Sequence, residues 1–513
     1  MGSTIAINIC LLGLMGIYTV WALILFWVDK DLQVRESPNR EYWTTLVFFT
    51  GPIGLAMYLL SQGELKQRCP NCGKKLKNLD MAICPYCKKK LTPDVIGNAF
   101  VEQLKNFNDI GFRVSGKEDT SLSIIPDSPE KWSSIKAVKM IIANAIDQGA
   151  TDIHLEPEVN SLRVRYRMDG VLHEVTGPPP ELQGPIIPCV KALADIDIAE
   201  RRKPMDGRMQ VIYSDRKTDI RVSTSPTIHG EKVALRILDR RAAMLDVNTL
   251  GMPDEIRDKF LKSIRSPQGM ILVTGPTGSG KTTTLYAALS QLDASQNNIM
   301  TIEEPVEYQL EGVTQIPINP RADVTFASGL RSILRQDPDI VMVGEIRDKD
   351  TAEIATRAAL TGHLIFSTLH TNDAIGAVVR LLDIGMEPYL ISSSVIAVLA
   401  QRLVRVVCPH CKIKEEPSPD TLIEIGIPVE ERMKFYKGKG CKECKFTGYS
   451  GRTGVFELFT IDDTLREMID NRVSAVTVRE LAIRNGMKTM FDDGISKAKM
   501  GITTLSEVTS TIK

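Results

Sequence analysis

The chain has 513 residues, 43% hydrophobic and 25% charged, and its 63 basic side chains balance its 63 acidic ones. This length exceeds a single hydrophobic core, so several folded units are expected. A net charge of zero argues against a nucleic-acid coat protein or a polybasic membrane binder, and we expect no nucleic-acid partner.

Two uncharged apolar runs lie near the amino terminus. Residues 5–27 would form about 35 Å of helix, which is enough to cross a bilayer, and residues 44–60 are the core of a second run. A cleaved signal peptide and a buried hairpin are the alternatives, but the first run has neither a basic leader nor a small-residue cleavage site. We therefore predict two transmembrane helices over residues 1–64.

The basic residues predict the orientation of this hairpin. Three of them lie in the short loop between the runs, whereas eight lie in residues 66–90. The positive-inside rule then places the remainder of the chain in the cytoplasm. The prediction is a multi-pass protein of the cytoplasmic (inner) membrane.

Eight of the ten cysteines form four C-x-x-C pairs, with eleven residues between the first two pairs and 29 between the last two. Two such turns bring four thiolates to one tetrahedral Zn²⁺ ion, whereas a single pair could be redox-active. We predict two closed structural zinc sites, the first in a zinc ribbon over 65–92, followed by helix and linker over 93–132. The ligands are Cys69, Cys72, Cys84 and Cys87 for the first site and Cys408, Cys411, Cys441 and Cys444 for the second.

A short apolar run at 270–274 ends in a glycine-rich loop, and helix-compatible sequence follows. Strand, loop and helix are the context of a P-loop, whose backbone amides wrap phosphates at a helix amino terminus. Lys281 would reach the β- and γ-phosphates of ATP, and the Thr282 hydroxyl would bind Mg²⁺. The predicted nucleotide contacts are Gly275, Pro276, Thr277, Gly278, Ser279, Gly280, Lys281, Thr282 and Thr283.

Three further groups of polar residues are candidates to complete this site. Glu345 follows an apolar strand, where a Walker-B acid would orient or deprotonate the attacking water. Glu303 belongs to a run of three carboxylates, which would be unremarkable as a surface charge cluster but near a nucleotide could hold Mg²⁺ through water or position the nucleophile. His363 and His370 flank another apolar strand and could face one site, although a lone histidine is more often a core residue.

In this order the motifs resemble the secretion ATPases of the type II secretion and type IV pilus assembly family, from about Ser133 onward. The matching segments are 149–157, 164–170, 198–208, 219–224, 303–307 (the Asp box), 334–348 (Walker B) and 361–371 (the His box). The resemblance implies an α/β fold in which a PAS-like domain (133–240) is joined by a hinge (241–255) to a RecA-like P-loop domain (256–400).

The resemblance also implies the assembly state and two further site residues. Family members form hexameric rings, in which arginines of the first domain approach the phosphates; here these are Arg208 and Arg221. The tetracysteine subdomain (401–455), before a helical subdomain (456–513), is similar to that of assembly and secretion members and is missing from retraction members.

The expected function is that of a membrane-anchored hexameric ATPase. It would power assembly of a type II secretion pseudopilus or a type IV pilus through an inner-membrane platform protein, with ATP, Mg²⁺ and Zn²⁺ as cofactors. A pilus retraction motor, a DNA-translocating ATPase and a nucleotide-binding scaffold without turnover are the alternatives.

Overall fold

The computed structural model describes residues 24–26, 28, 40–50, 55, 93–107, 111–115, 133–238, 246–418, 422–423, 426 and 433–512. The chain divides into two compact units, one of residues 1–105 with 174–179 and the other of residues 106–173 with 180–513. The second unit contains nearly all of the described strands.

The first unit contains helix α1 (Arg40–Thr50) and almost all of helix α2 (Pro93–Asn106). Val28 and Val47 form a small buried apolar cluster there. Helix α1 has 11 residues.

The predicted membrane localisation requires a correction. Among the residues that the structure describes, no helix combines the length and the apolar character that crossing a bilayer requires. The prediction of a multi-pass inner-membrane protein is therefore wrong for this part of the chain. The other residues of 1–64 lie outside the described residues, and so do Cys69, Cys72, Cys84 and Cys87 of the predicted zinc ribbon.

A first domain is built on a seven-stranded sheet, whose strand order is β1-β5-β6-β7-β2-β3-β4. Two helices, α3 (Ser134–Asp147) and α4 (Pro180–Leu193), pack against each other beside it. The strands are β1 (Phe112–Val114), β2 (Asp152–Pro157), β3 (Leu162–Met168), β4 (Val171–Val175), β5 (Met205–Tyr213), β6 (Arg216–Thr227) and β7 (Gly230–Leu238). Strand β1 pairs with β5, so part of the predicted linker 93–132 belongs to this sheet.

The two faces of this sheet differ in polarity because its strands alternate apolar and charged residues. In β3 the burial alternates strictly along the strand, and the Tyr166 hydroxyl donates to the Ile141 carbonyl of α3 at 2.7 Å. The apolar face therefore packs on the helices. The opposite face carries charged residues, among them Arg165 of β3 and Glu156 of β2, which form an ion pair at 2.7 Å.

A second domain contains another seven-stranded sheet, in the order β10-β9-β11-β12-β8-β13-β16. Where registers are given its neighbours are parallel, except that β16 is antiparallel to β13. The strands are β8 (Gly269–Thr274), β9 (Ile299–Glu303), β10 (Thr314–Pro317), β11 (Ile340–Val343), β12 (Leu364–Leu369), β13 (Val395–Val407) and β16 (Tyr449–Thr460), and β14 (Lys412–Glu415) pairs separately with β15 (Phe435–Gly438). The predicted α/β class is confirmed.

Helices cover both faces of the second sheet. All six residues of β8 are buried, between one apolar cluster that includes Leu285 and another that includes Ala352. Burial on both faces explains why 270–274 reads as a continuous apolar run. The helices are α5 (Asp254–Ser263), α6 (Lys281–Leu289), α7 (Phe326–Ile333), α8 (Lys349–Leu360), α9 (Ala374–Asp383), α10 (Pro388–Ser394), α11 (Asp463–Asp470), α12 (Ala475–Arg484), α13 (Met490–Lys499) and α14 (Leu505–Ile512).

Two of the predicted domain boundaries in this region fall inside strands. The boundary at 400/401 falls inside β13, and the boundary at 455/456 falls inside β16. Both strands belong to the second sheet, so the tetracysteine segment is an insertion between two paired strands. Of the predicted hinge 241–255, residues 246–255 are described, and Val247 packs in the core of the second domain.

Candidate functional site

The parallel strands of the second sheet bring four predicted segments to one edge. Thr274 of β8 pairs with Leu369 of β12, and Val343 of β11 pairs with Ile302 of β9. Because the carboxyl ends of parallel strands share an edge, the glycine-rich loop and the Asp box begin there, and the Walker B and His box segments end there. This edge is where α/β sheets commonly bind ligands.

The glycine-rich loop 275–280 joins β8 to α6. Gly275, Gly278 and Gly280 have φ angles of 151°, 79° and 88°, which glycine adopts without a steric penalty. No side chain caps the amino terminus of α6. The loop and the first turn of α6 line a cavity of about 1350 Å³, which we call the larger cavity.

Lys281 lies at the amino terminus of α6 and folds over the loop. Its Nζ donates to the carbonyls of Gly275 at 2.8 Å and Pro276 at 3.1 Å. Burial lowers the pKa of Lys281 to about 8, with Arg402 acting in the same direction and Glu345 opposing it. The ammonium group is therefore still mostly charged at neutral pH.

Glu345 lies in the loop after β11 and faces Lys281 across the larger cavity. Its carboxylate accepts from the guanidinium of Arg347, and its Oε2 lies 3.4 Å from His370 Nε2. Burial lowers the pKa of His370, and Lys281 lowers it further against the opposing effect of Glu345. A neutral His370 can therefore donate a hydrogen bond to Glu345 at neutral pH.

Glu303 is only 3% exposed at the end of β9, and hydrogen-bond donors occupy both of its oxygens. The Thr301 hydroxyl donates to Oε1 at 2.6 Å and the Gln315 amide donates to the same atom at 3.0 Å. The Tyr286 hydroxyl donates to Oε2, and burial next to this carboxylate raises the pKa of Tyr286. In this arrangement Glu303 fixes the start of the Asp box.

His363 and His370 lie at opposite ends of β12. The His363 carbonyl accepts from the Gly269 N–H at 3.1 Å, so His363 is level with the amino end of β8. Its ring Nδ1 lies 3.0 Å from the Ala358 carbonyl of α8. At about 3.3 Å per residue the six-residue strand spans roughly 20 Å, so the structure brings His370 to Lys281 but does not bring His363 there.

Arg208 and Arg221 are cross-strand neighbours on β5 and β6. They line a second cavity of about 790 Å³. Arg221 donates to the Val306 carbonyl at 2.8 Å and pairs with Glu307 at 3.2 Å. In the single chain, both arginines therefore lie next to the Asp box rather than in the larger cavity with the phosphate loop.

Sequence reasoning missed several residues of the larger cavity. Opposite the phosphate loop, the polar face of the first sheet contributes Asp152, His154, Arg167 and Arg236. Both ring nitrogens of His154 are buried and without a hydrogen-bond partner among the described residues. The strict alternation of arginines in 163–167 marks an exposed polar face, but it does not indicate what that face covers.

The four cysteines of the second set lie together at the base of the segment inserted between β13 and β16. All four Sγ atoms lie within 4.8 Å of one another. The Sγ atoms of Cys408 and Cys441, and those of Cys411 and Cys444, are 3.8 Å apart. Zn–S bonds of 2.3 Å in a tetrahedron require S···S distances of about 3.8 Å, so the donor set fits Zn²⁺.

Backbone N–H groups surround these sulfur atoms. Gly440 N–H donates to Cys411 Sγ at 3.3 Å, and the N–H groups of Cys441 and Gly448 donate to Cys444 Sγ at 3.2 Å and 3.3 Å. Burial raises the pKa of Cys444, but these two N–H groups, together with the thiols of Cys441 and Cys411, outweigh it and lower the pKa to about 7. Such N–H donors stabilise thiolate ligands of a metal.

Comparison with known proteins agrees with these observations. A sequence model of the family described as "Type II/IV secretion system protein" matches residues 128–510. The chain is 49% identical over 382 residues to the type II secretion system ATPase E of Vibrio cholerae, covering 74% of this chain and 76% of that protein. It is 46% identical over 375 residues to the type IV pilus assembly ATPase PilB of Thermus thermophilus, covering 73% of this chain and 42% of that protein.

Two solved structures have a similar fold. The pilus retraction motor PilT with bound ADP is 27% identical with a TM-score of 0.51, covering 72% of this chain and 95% of that one. The ATPase DotB of Legionella pneumophila is 22% identical with a TM-score of 0.56, covering 75% and 97%. The similarity to DotB bears on the fold alone.

Proposed function

The chain belongs to the type II/IV secretion system protein family, and on that premise we propose that it powers assembly of a type II secretion pseudopilus or a type IV pilus. It is an ATP-hydrolysing enzyme of this family. The observation that carries the proposal is the common sheet edge at which the phosphate loop, Glu345 and His370 meet. The V. cholerae and T. thermophilus relatives, both secretion or assembly ATPases, share more identity with this chain than the retraction motor does.

The first role of the site is to hold the triphosphate. The backbone N–H groups of the glycine-rich loop and of the first turn of α6 would surround the phosphates, and Lys281 would supply a positive charge. The Thr282 hydroxyl and the neighbouring carboxylates would hold Mg²⁺, which neutralises charge that develops on the transferred phosphoryl group. Burial of Lys281 strengthens its attraction for the phosphates.

Glu345 would orient or deprotonate the attacking water. It is the carboxylate opposite Lys281, and its partners Arg347 and His370 hold its two oxygens at defined positions. A neutral His370 orients Glu345 through a hydrogen bond without adding charge to the cavity. Glu303 has a supporting role, because its bonds to Thr301 and Gln315 fix the Asp box beside the phosphates.

We further propose that the active form is a homohexamer. Arg208 and Arg221 lie in the second cavity and do not line the larger one, which favours a role for them in domain closure or in a neighbouring subunit. There they would stabilise charge on the phosphoryl group, as arginine fingers do. The tetracysteine site would hold one structural Zn²⁺, and an inner-membrane platform protein would receive the mechanical work.

Lys281→Ala in the source organism tests whether the motor assembles or retracts surface fibres. An assembly motor that cannot bind ATP leaves the cell with fewer surface fibres or less secreted protein. The exposed Lys262→Ala on α5 is the control and should leave both levels unchanged. An increase in surface fibres would instead indicate a retraction motor, and a defect confined to DNA transfer would indicate a DNA translocator.

A further inference from the structure

Gln401 is a buried amide in the middle of β13, next to the phosphate loop. Only 2% of its surface is exposed. Its Nε2 donates to the Ser279 carbonyl at 2.7 Å, and its Oε1 accepts from the Thr284 hydroxyl at 2.8 Å. One side chain therefore joins the central sheet to the phosphate loop and to the first turn of α6.

The backbone of β13 approaches the loop equally closely. A Cβ atom built on Gly275 would lie 2.5 Å from the Gln401 carbonyl oxygen, and one on Gly280 would lie 3.2 Å from Gln401 Nε2. Both ends of the loop therefore rest on this one residue, and the glycines at these ends permit the approach.

The bond to Ser279 sets the orientation of one peptide group. The Ser279 carbonyl and the Gly280 N–H belong to the same trans peptide unit, so they point in opposite directions. Because Gln401 holds the carbonyl against β13, the Gly280 N–H points away from the strand. Gly280 lines the larger cavity, where the phosphates of ATP would lie.

We propose that Gln401 is a positioning residue for ATP. It orients the Ser279–Gly280 peptide so that the Gly280 N–H donates to a phosphate oxygen. This inference rests on the proposed assignment of residues 275–283 as the phosphate-binding loop. It predicts that the contribution of Gln401 to affinity depends on the β- and γ-phosphates of the nucleotide and not on its base or ribose.

The variants Gln401→Met and Gln401→Asn test the proposal in the full-length protein. The methionine keeps the volume and removes both hydrogen bonds, and the asparagine keeps the amide but shortens its reach. Thr284→Val removes only the bond to α6, and Gln291→Met makes the same side-chain change at an exposed position two residues after α6. The measurements are Kd for Mg²⁺-ATP, Mg²⁺-ADP and adenosine, kcat, and the midpoint of thermal unfolding.

Both Gln401 variants are expected to bind ATP and ADP about 10- to 100-fold more weakly, since a buried polar partner is left unsatisfied. Adenosine affinity should stay within about twofold, and kcat at saturating ATP within about threefold. Thr284→Val should weaken ATP binding less than threefold, and Gln291→Met should match the wild type. Weaker binding of ATP and ADP with adenosine affinity and kcat retained would distinguish a role in phosphate binding from a general loss of fold.

Two outcomes would overturn the inference. One is an ATP affinity within threefold of wild type in a folded Gln401 variant, and the other is an equal loss of affinity for ATP and adenosine. If the wild type itself bound no ATP, the proposed function would fail and this inference with it. Wild-type binding with unchanged variants would remove the inference alone.

Discussion

Lys281, Glu345 and His370 show how burial sets the charge of a site. Burial lowers the pKa of Lys281 only to about 8, so this side chain is still mostly charged at neutral pH. Burial also lowers the pKa of His370 below its usual value, so the imidazole is neutral there. Glu345 faces Lys281 across the larger cavity and is hydrogen-bonded by both His370 and Arg347. The site therefore offers one cation to the phosphates and one oriented carboxylate to the attacking water.

The two histidines of the His box provide a matched pair. His370→Asn should lower kcat at least about tenfold, because Glu345 loses the group that orients one of its oxygens. His363→Asn should leave kcat within about twofold, since His363 lies at the opposite end of β12. Steady-state hydrolysis by both variants checks this, and equal losses in the two would contradict the placement of His370 beside Glu345.

ATP affinity should depend on pH through Lys281. Its pKa near 8 lies in the free enzyme, and bound phosphates favour the charged form, so binding is strong below pH 8 and weakens as pH rises above it. The expected increase in Kd approaches about tenfold per pH unit above 8. Phosphate groups with a second pKa near 6 keep their charge over this range. A Kd that stays constant from pH 7 to 9.5 would contradict the role of Lys281.

For individual residues, the sequence identifies the side chains that would bind ATP and activate water, but not the side chains that support them. The glycine-rich loop, Lys281 and Glu345 are readable because their motifs are local. Gln401 and Gln315 are not, since each acquires its partner only when β13 packs beside β8 or β10 beside β9. Such contacts depend on strand order, which a single sequence does not encode in a local pattern.

Strand β13 links two functional elements of the second domain. Gln401 in its middle contacts the phosphate loop, and Cys408 directly follows its end. Between them, Arg405 donates to both carboxylate oxygens of Glu507 on α14, from Nε to Oε1 at 3.0 Å and from Nη2 to Oε2 at 2.7 Å. The tetracysteine segment and the carboxyl-terminal helix therefore both attach to the strand that supports the nucleotide site.

Removing the metal should destabilise this region. The double variant Cys411→Ser, Cys441→Ser should contain about one zinc ion fewer per chain than the wild type and should unfold about 5 °C or more lower, because ligand binding contributes directly to folding. Cys189→Ala removes a buried cysteine far from the cluster in sequence, and it should leave the zinc content unchanged. Metal content is measured by elemental analysis and stability by calorimetry, and equal zinc in all three proteins would contradict the site.

Element boundaries were the part of the fold least accessible from sequence. The cysteine pairs suggest a separate subdomain at 401–455, yet β13 and β16 extend into it because their apolar residues continue the second sheet. The short strand β1 has three residues, too few to show a period. No described helix supports the predicted membrane localisation, and most residues of the predicted amino-terminal hairpin lie outside the described part of the chain.

On the scale of the whole molecule, the polar face of the first sheet and the phosphate loop line one cavity. Arg208 and Arg221 belong to that sheet but line the second cavity, so we expect them to act when the domains close in a ring. Arg208→Ala and Arg221→Ala should each lower kcat about tenfold or more while ATP binding stays within about threefold.

The control for these variants is Arg265→Ala, which removes an exposed arginine after α5. It should leave turnover unchanged. Light scattering on the same samples measures their mass, and a hexamer is the expected state of the active protein. Full activity of a strictly monomeric sample, or of both Arg208 and Arg221 variants, would contradict the proposed ring.

The most direct test of the account is Mg²⁺-dependent ATP turnover by the purified full-length protein, with Glu345→Gln measured in parallel. We expect slow hydrolysis by the wild type, at least a hundredfold loss of kcat in the variant, and an ATP affinity in the variant within about threefold of the wild type. That result would support a site that binds phosphates through the glycine-rich loop and activates water through Glu345. Undiminished turnover in Glu345→Gln would contradict the role assigned to that carboxylate, and tight ATP binding without turnover in the wild type would contradict a motor.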